Sequence, residues 1–372
     1  MSGGRLLITG GAGFIGSHVA HALLERGYRV RALDTLTPQV HPNGARPDYL
    51  ESDVELMVGD VRDAHAVRRA LIDVDGVIHL AARVGVGQSM YEISDYVAVN
   101  SLGTAVLLDA LLQHPVRRIV VASSMSIYGE GLYRRDNGAP AVVSERTREQ
   151  LAARDWEPHS ETGEPLTPVP TPEAKPPSLS SIYALNKFEQ ERSAQLFGRA
   201  YDTPAIALRF FNVYGRNQAL SNPYTGVLAI FASRLLNDRP PMIFEDGEQR
   251  RDFVSVNDVA RACVLALERP ALQTDVINVG SGTSVTVRGI AERLARILGK
   301  AHIEPEITHE YRVGDIRNCF ADISKAREVL SFEPKVALDD GIRDLAEWLE
   351  GQVADDRVEQ ARQELTSRGL TV

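Results

Sequence analysis

Three glycines near the start of the chain constrain its fold more than any other feature. Gly10, Gly13 and Gly16 stand three residues apart, directly after the apolar run 5–9, and an amphipathic stretch follows them. A tight turn, a close approach of the backbone to a ligand and close packing of a helix on a strand each exclude a side chain. The spacing therefore predicts a strand, a turn and a helix whose N-terminus is placed to bind a pyrophosphate.

The first half of the chain repeats a short apolar run, a turn and an amphipathic stretch, which is typical of parallel strands joined by crossover helices. The spacing predicts helices over 15–25 and 64–72. We predict an α/β fold, a Rossmann-type doubly wound parallel sheet with a smaller C-terminal α/β lobe for substrate. The predicted strands are 5–9, 29–34, 55–58, 76–79, 118–123 and 205–210.

The chain divides into three predicted parts, because 372 residues exceed what one core usually holds. They are a dinucleotide-binding domain over 1–211, a mainly substrate-binding lobe over 212–350 and a helical tail over 351–372. The proline-rich composition of the stretch 130–178 predicts a long insertion. It is either a flexible linker or a partly ordered lid near the substrate, and Trp156 favours the lid because it offers an anchor.

Charge and cysteine content exclude several classes of protein. A formal net charge of -9 provides no basic field for nucleic acid. No apolar run reaches the roughly 20 residues of a membrane span, and the start of the chain leaves no room for a signal peptide. Cys263 and Cys319 lack metal-ligand spacing, so we expect no metal site and a reducing, cytoplasmic location.

Acidic residues at predicted strand ends point to the cofactor. Asp34 ends the second strand, where its carboxylate can accept bonds from the adenosine ribose hydroxyls and repel a 2′-phosphate. This predicts NAD rather than NADP, although Asp34 alone can also be a helix N-cap. Asp60 follows the third strand and is either an acceptor for the adenine amino group or a cap. His79 is expected to be a buried histidine with satisfied hydrogen bonds rather than a catalyst.

A second motif carries acid-base chemistry. Tyr183 and Lys187 are four residues apart and so share one face of a helix. A tyrosine with a pKa near 10 is a poor base at neutral pH, and a nearby ammonium stabilises the phenolate. Ser124 follows a strand that leads to the cofactor edge and can share the proton of a substrate hydroxyl. Downstream of a dinucleotide fingerprint, this combination predicts catalysis.

These motifs, in this order, resemble the extended short-chain dehydrogenase/reductases, and within them the NAD-dependent nucleotide-sugar epimerase/dehydratase family. The resemblance covers about residues 5 to 350. It implies that Ser124, Tyr183 and Lys187 form the catalytic triad. It also implies that NAD contacts Gly10, Gly13, Phe14, Ile15, Gly16, Asp34, Asp60, Val61, Leu80, Ala81, Ala82, Asn100, Tyr183, Lys187 and Phe210.

The second half of the chain resembles the family's substrate segments, in particular those of 4-epimerases of dTDP- and UDP-linked sugars, through the stretch 221–227. Arg251 and Arg312 come from distant segments, and planar guanidinium groups bind phosphate oxygens in bidentate fashion. The resemblance implies a UDP- or dTDP-sugar substrate and contacts from Val84, Ser124, Ser126, Tyr183, Asn212, Gly226, Val227, Phe244, Arg251 and Arg312.

The two residues after Ser124 indicate which of the family's reactions to expect. All are expected to begin with proton transfer to Tyr183 and hydride transfer from sugar carbon 4 to NAD. Dehydratases of the family then use an Asp-Glu pair, and decarboxylases a glutamate, where this chain has Met125 and Ser126. We therefore predict 4-epimerisation through a transient 4-keto sugar. Decarboxylation or dehydration stays the alternative, because Glu145 or Glu161 from the insertion can supply a carboxylate. A noncatalytic NAD-binding protein is the alternative of a different class.

Relatives in this family pair through two long helices, and the stretches 93–113 and 182–201 are helical in pattern with exposed apolar content. The resemblance therefore implies a homodimer.

Overall fold

The computed structural model describes residues 3–141, 143, 146–219, 226–312, 314–349 and 358–371. Its strands are β1 (Arg5–Thr9), β2 (Arg29–Asp34), β3 (Glu55–Val58), β4 (Gly76–His79), β5 (Ile119–Ser124), β6 (Leu132–Arg134), β7 (Pro140–Ala141), β8 (Thr167–Val169), β9 (Ala205–Phe210), β10 (Asn212–Tyr214), β11 (Met242–Ile243), β12 (Arg250–Arg251), β13 (Phe253–Ser255), β14 (Asp275–Val279), β15 (Val285–Thr286), β16 (Glu306–Ile307) and β17 (Asn318–Cys319).

A π-helical turn, Val97–Leu102, and a 3-10 turn, Met125–Tyr128, interrupt the regular elements. The helices are α1 (Phe14–Leu24), α2 (Ala64–Ala70), α3 (Val86–Ser89), α4 (Ile93–Tyr96), α5 (Gly103–Leu111), α6 (Arg148–Ala152), α7 (Ile182–Ala200), α8 (Val227–Leu236), α9 (Val256–Glu268), α10 (Val287–Ile297), α11 (Ser324–Leu330), α12 (Leu338–Leu349) and α13 (Val358–Ser367).

A seven-stranded sheet forms the large lobe, in the order β14-β9-β5-β4-β1-β2-β3 with every pair parallel. Strand β5 shows why it is covered on both faces. Val120 and Ala122 pack into one apolar core, whereas Ile119 and Val121 pack into the core on the opposite face. The predicted α/β fold with a doubly wound parallel sheet is confirmed.

The strand order reverses between β1 and β4, which places a crevice at the carboxyl ends of the central strands. Helices α1 and α9 pack together on one face, and α7 packs on β5 and β9. Both α9 and β14 lie within 212–350, so the large lobe takes chain from both sides of the boundary expected at residue 211.

The smaller lobe is built around helices α8, α10 and α12. Phe231, Leu294 and Leu345 are among the fully buried side chains of its core. Short strand pairings complete it, including β10 with β13 and β12 with β15 and β17. In the described part of the chain, no helix combines the length and the apolar character needed to cross a bilayer.

The described part of the insertion is folded and is not a flexible linker. Strands β7, β6 and β8 form a small antiparallel sheet, and the buried Trp156 packs against Leu151 and against Tyr311 of the smaller lobe. Trp156 is thus the anchor that the sequence suggested. Of the two carboxylates considered above, Glu145 lies outside the described residues and Glu161 is exposed.

Buried ion pairs fix the insertion to the smaller lobe. The Arg317 side chain is 1% exposed, and its guanidinium bonds Glu245, Asp246 and Glu157 of the insertion. Glu130 accepts the backbone N–H groups of Arg317 and Asn318 at 2.6 and 3.1 Å. These contacts hold Arg317 and Asn318 against the insertion.

Candidate active site

A cavity of about 510 Å³ opens at the crevice between the two lobes, within the range of small-molecule sites. The structure brings most of the predicted site residues to its walls. They are Gly10, Gly13, Phe14, Ile15, Gly16, Asp34, Asp60, Val61, Leu80, Ala81, Ala82, Val84, Ser124, Tyr183, Lys187, Phe210, Asn212, Gly226 and Val227.

The glycine turn is as tight as its spacing predicted. Gly10 has a φ of +71°, and an added Cβ would lie 2.9 Å from the backbone nitrogen of Ala81. An added Cβ at Gly16 would lie 2.3 Å from the carbonyl oxygen of Gly10. At Gly13 the nearest atom would be that same oxygen at 3.4 Å, so the chain leaves space there. The turn is a backbone cradle at the start of α1, which fits a pyrophosphate.

The two carboxylates predicted to contact the cofactor are held differently. Asp34 accepts backbone N–H groups of Ala12 and Leu36, each at 3.0 Å, so it braces the glycine turn at the cavity wall and does not cap a helix. Asp60 pairs with the Arg62 side chain, its Oδ2 lying 2.7 Å from Nη2. Burial alone would raise the pKa of Asp60, but the hydrogen bonds from Arg62 outweigh it and lower that pKa. Asp63, rather than Asp60, caps α2.

Strand β5 and helix α7 position the three predicted catalytic side chains. Ser124 ends β5, where its Oγ accepts bonds from the backbone N–H and the hydroxyl of Ser126 at 3.2 and 2.9 Å. Lys187 is buried on α7 and donates to the carbonyl oxygen of Ala122 at 2.9 Å. Tyr183 lies one turn before Lys187 on the same helix. All three side chains therefore meet at the end of one strand.

Burial is the main cause of the pKa shifts of Tyr183, Lys187 and the neighbouring His79. It raises the pKa of Tyr183 to about 12, against a lowering by the hydrogen bond with Ser124. Burial also lowers the pKa of Lys187 to about 7. His79 lies beneath the site with Thr9 and Thr104 on its two ring nitrogens, at 2.7 and 2.9 Å, and burial followed by the charge of Lys187 lowers its pKa to about 3. His79 is thus the buried, satisfied histidine expected.

Two predicted contacts lie just behind the cavity wall. Asn100 is fully buried and bonds the backbone N–H and carbonyl of Arg83 at 2.7 and 3.1 Å, so it holds the loop after β4. Ser126 is buried and points its hydroxyl at Ser124. Met125 packs into the apolar core. Neither position after Ser124 faces the cavity.

The predicted diphosphate arginines are engaged elsewhere. Arg251 donates to the carbonyl oxygens of Arg250 and Ile316, and to that of Arg317 at 2.9 Å. Arg312 pairs with Asp315 at 2.9 Å and lies over the ring of Phe244 at 4.7 Å. None of Phe244, Arg251 and Arg312 lines the cavity, and all three belong to the smaller lobe.

Sequence reasoning missed several residues at the site, and Gly11 and Gln218 are two of them. Gly11 is sterically constrained like Gly10 and Gly16, because an added Cβ would lie 2.6 Å from the Cβ of Ala32. Gln218 is buried in the cavity wall beside Gly226, and its Oε1 has no hydrogen-bond partner. The Oδ1 atom of Asn212 is also buried without a partner. A second glycine after β1 signals Gly11, whereas no pattern distinguishes Gln218.

Known proteins match this architecture over nearly the whole chain. A sequence profile of the NAD dependent epimerase/dehydratase family matches residues 6–280. The chain belongs to this family. It is similar to a dTDP-L-rhamnose 4-epimerase from Burkholderia thailandensis, with 37% identity over 355 residues that cover 94% of this chain and 96% of the relative.

Solved structures agree. A UDP-glucose 4-epimerase from Thermotoga maritima, determined with UDP-glucose, is 30% identical with a TM-score of 0.76 and covers 93% of this chain and 98% of its own. A UDP-glucose 4-epimerase from Thermus thermophilus, determined with NAD, is 32% identical with a TM-score of 0.73, and the shares are 94% and 100%. The predictions of an extended short-chain dehydrogenase/reductase, of NAD as cofactor and of an NAD-dependent nucleotide-sugar 4-epimerase are confirmed. Decarboxylation is only the weaker alternative.

Proposed function

We propose that Tyr183 is the acid-base residue of the epimerase, assisted by Ser124 and Lys187, and that its substrate is a neutral hexose linked to dTDP or UDP. The convergence of these three side chains at the end of β5, on the wall of the cavity, carries the assignment. NAD, when bound, accepts a hydride from sugar carbon 4 and returns it, and its nicotinamide brings a positive charge to the site.

Proton transfer depends on how the chain controls Tyr183. In the cofactor-free protein burial raises its pKa to about 12, so the hydroxyl needs added positive charge and hydrogen bonds to work near neutral pH. Ser124 supplies a hydrogen bond and Lys187, when protonated, supplies charge from the same helix face. Tyr183 then takes the proton from the hydroxyl at sugar carbon 4. After the 4-keto sugar has rotated, Tyr183 returns a proton to the oxygen at carbon 4.

Epimerisation is favoured by the carboxylates at the cavity, all of which are already engaged. Asp34 accepts backbone groups, Asp60 pairs with Arg62, and Asp95 lies 2.9 Å from Arg83. Among the described lining residues, no other carboxylate is present to remove water or assist decarboxylation. Return of the hydride to the other face of carbon 4 is the remaining fate of the ketone.

The cations of the cavity wall favour a neutral sugar as substrate. The described cations of the cavity wall are Arg62, Arg83 and Lys187, and each has a partner. A sugar carboxylate would have to displace a partner of one of these cations, whereas a neutral sugar needs no such exchange. The diphosphate would bind through Asn212 and through Arg312 and Arg251, which would exchange carbonyl or carboxylate partners for phosphate. The relative named for dTDP-L-rhamnose makes that compound the first to test.

Incubation with a panel of dTDP-, UDP- and GDP-sugars, including UDP-glucuronate, tests these assignments. We expect a product of unchanged mass with inverted carbon 4 from a neutral dTDP- or UDP-sugar. A loss of about 44 mass units would mean decarboxylation and a loss of about 18 dehydration, the masses of CO₂ and water. Either loss as the main result would refute the inference drawn from Met125 and Ser126.

We further propose a cytoplasmic homodimer. The exposed apolar side chains of the two helical stretches support pairing, with Ile93 47% and Leu102 53% exposed before and within the π-helical turn and Leu196 58% exposed on α7. Both cysteines are buried free thiols, which suits a reducing compartment. Light scattering at micromolar concentration should give twice the mass of the chain, and a monomer would contradict the dimer.

A further inference from the structure

The last described segment of the chain, 358–371, contacts the large lobe beside the cavity. Leu365 of α13 is buried, and its Cδ2 atom would lie 3.2 Å from a Cβ added at Gly87. The Tyr91 hydroxyl donates to Glu364 at 3.1 Å, and the Arg368 guanidinium lies 4.3 Å from the centroid of the Tyr91 ring. These contacts hold the stretch from Val86 to Tyr91, which includes α3.

The same segment contacts the smaller lobe on the opposite side. Arg362 bonds Glu310, with Nε 3.1 Å from Oε2. Glu359 lies 3.3 Å from Arg234 of α8. Thr371 is buried and pairs in antiparallel fashion with Arg312. The segment therefore joins one lobe to the other.

The stretch held on the large lobe leads directly to the catalytic helix. Ser89, at the end of α3, is fully buried, and its Oγ accepts the backbone N–H of Tyr183 at 3.1 Å. This N–H belongs to the first turn of α7, where helix donors have no partner within the helix. Val84, just before α3, lines the cavity.

We propose that residues 358–371, here called the C-terminal strap, position the catalytic tyrosine and close the substrate cleft. The strap holds α3, α3 holds the first turn of α7 through Ser89, and the other end of the strap holds the segment of Arg312. This inference rests on the proposed roles of Tyr183 and Arg312. With the strap in place the 4-keto sugar stays between the lobes until carbon 4 is reduced again.

Replacement of Leu365 is the most direct test of the role of the strap. The ion pairs of the strap are partly exposed and contribute little each, whereas Leu365 is buried against Gly87. Leu365→Ala removes this apolar contact in the full-length protein. Gln363→Ala is the matched control, because Gln363 is exposed on the same helix.

Hydrogen exchange of the full-length variants provides a readout that does not need turnover. In Leu365→Ala the peptides covering 86–91 and the first turn of α7 should exchange about 10-fold faster than in wild type, because local opening becomes easier. Gln363→Ala should exchange as wild type. Equal exchange rates in both variants would refute the proposed role of the strap, whether or not a nucleotide sugar is turned over.

Kinetic measurements then distinguish a positioning role of the strap from a simple loss of folded protein. We expect Leu365→Ala to lower kcat/KM by about 10-fold, through a lower kcat from the displaced Tyr183 and a higher KM from the loosened segment of Arg312. The variant should also release 4-keto sugar, which leaves its hydride on the enzyme as NADH and which borodeuteride traps for mass spectrometry. A lower amount of active enzyme with unchanged KM and no released ketone would refute the positioning role. If Leu365→Ala does not fold, Tyr91→Phe removes the hydroxyl that donates to Glu364, and the same exchange and ketone measurements decide. A wild type without turnover would refute the proposed function alone.

Discussion

Replacement of Lys187 by methionine should stabilise the cofactor-free protein while it removes activity. The lysine is 3% exposed, and burial lowers its pKa from the ordinary 10.5 to about 7. One pKa unit corresponds to about 1.36 kcal/mol, so the protonated side chain costs the folded state on the order of 5 kcal/mol. Methionine has similar length and no charge. The lost hydrogen bond to Ala122 offsets about 1 to 2 kcal/mol, which leaves a net gain of about 3 kcal/mol.

The sign of the pH dependence follows from the two pKa values of Lys187. Between pH 7 and pH 10.5 the unfolded chain holds the lysine proton and the folded chain does not. Wild-type stability should therefore rise with pH over that interval. The variant lacks this contribution, so its advantage should be complete below about pH 7 and should shrink steadily above it.

Denaturant unfolding from about pH 6 to pH 9, after removal of bound nucleotide, measures the difference. Lys335→Met, at an exposed lysine, is the control and should change stability little. An advantage of Lys187→Met that stays constant with pH would refute the reasoning, because it would show that the folded protein does not release this proton near pH 7. Turnover should fall by about 100-fold or more.

Five further substitutions test the site. Tyr183→Phe deletes the acid-base hydroxyl, so turnover should fall by about 100-fold or more while nucleotide-sugar binding, followed by calorimetry, persists. Arg251→Ala should mainly raise KM, and a change confined to kcat would argue against a diphosphate contact. Gly16→Ala forces a Cβ against the Gly10 carbonyl at 2.3 Å and should lower stability by about 1 to 3 kcal/mol, whereas Gly13→Ala should leave the melting temperature unchanged and weaken NAD binding. Asp34→Ser should erode the preference for NAD over NADP, and equal affinities in the wild type would already contradict the role of the carboxylate.

The sequence predicted the large sheet well because local patterns specify buried parallel strands. Five of the six predicted strands have the observed bounds, and the strand predicted over 118–123 is shifted by one residue. Glycine spacing worked because the turn itself excludes side chains, as at Gly10 and Gly16. Strand β14 was not expected in this sheet, since long-range pairing with β9 leaves no local signal.

The juxtaposition of Tyr183 and Lys187 was predictable because their spacing reflects one helix face. Other site properties depend on contacts between distant segments, which no local pattern encodes. The bond of Asn100 to the loop at Arg83 and the buried Gln218 are examples. The expected lowering of the Tyr183 pKa by Lys187 is a further case, because burial raises that pKa and the opposing effect comes from the hydrogen bond with Ser124. Residues 221–225, which belong to the stretch 221–227 that suggested a sugar epimerase, lie outside the described residues.

The place of β14 in the sheet has a consequence for synthesis on the ribosome. When residue 211 has emerged, β9 is an unpaired edge and the face of α1 that later receives α9 is uncovered. An open edge and an exposed apolar face are the features that lead nascent chains to associate wrongly. The nucleotide-binding half therefore completes its fold only after residue 279 has been translated, so the protein matures as one unit rather than half by half.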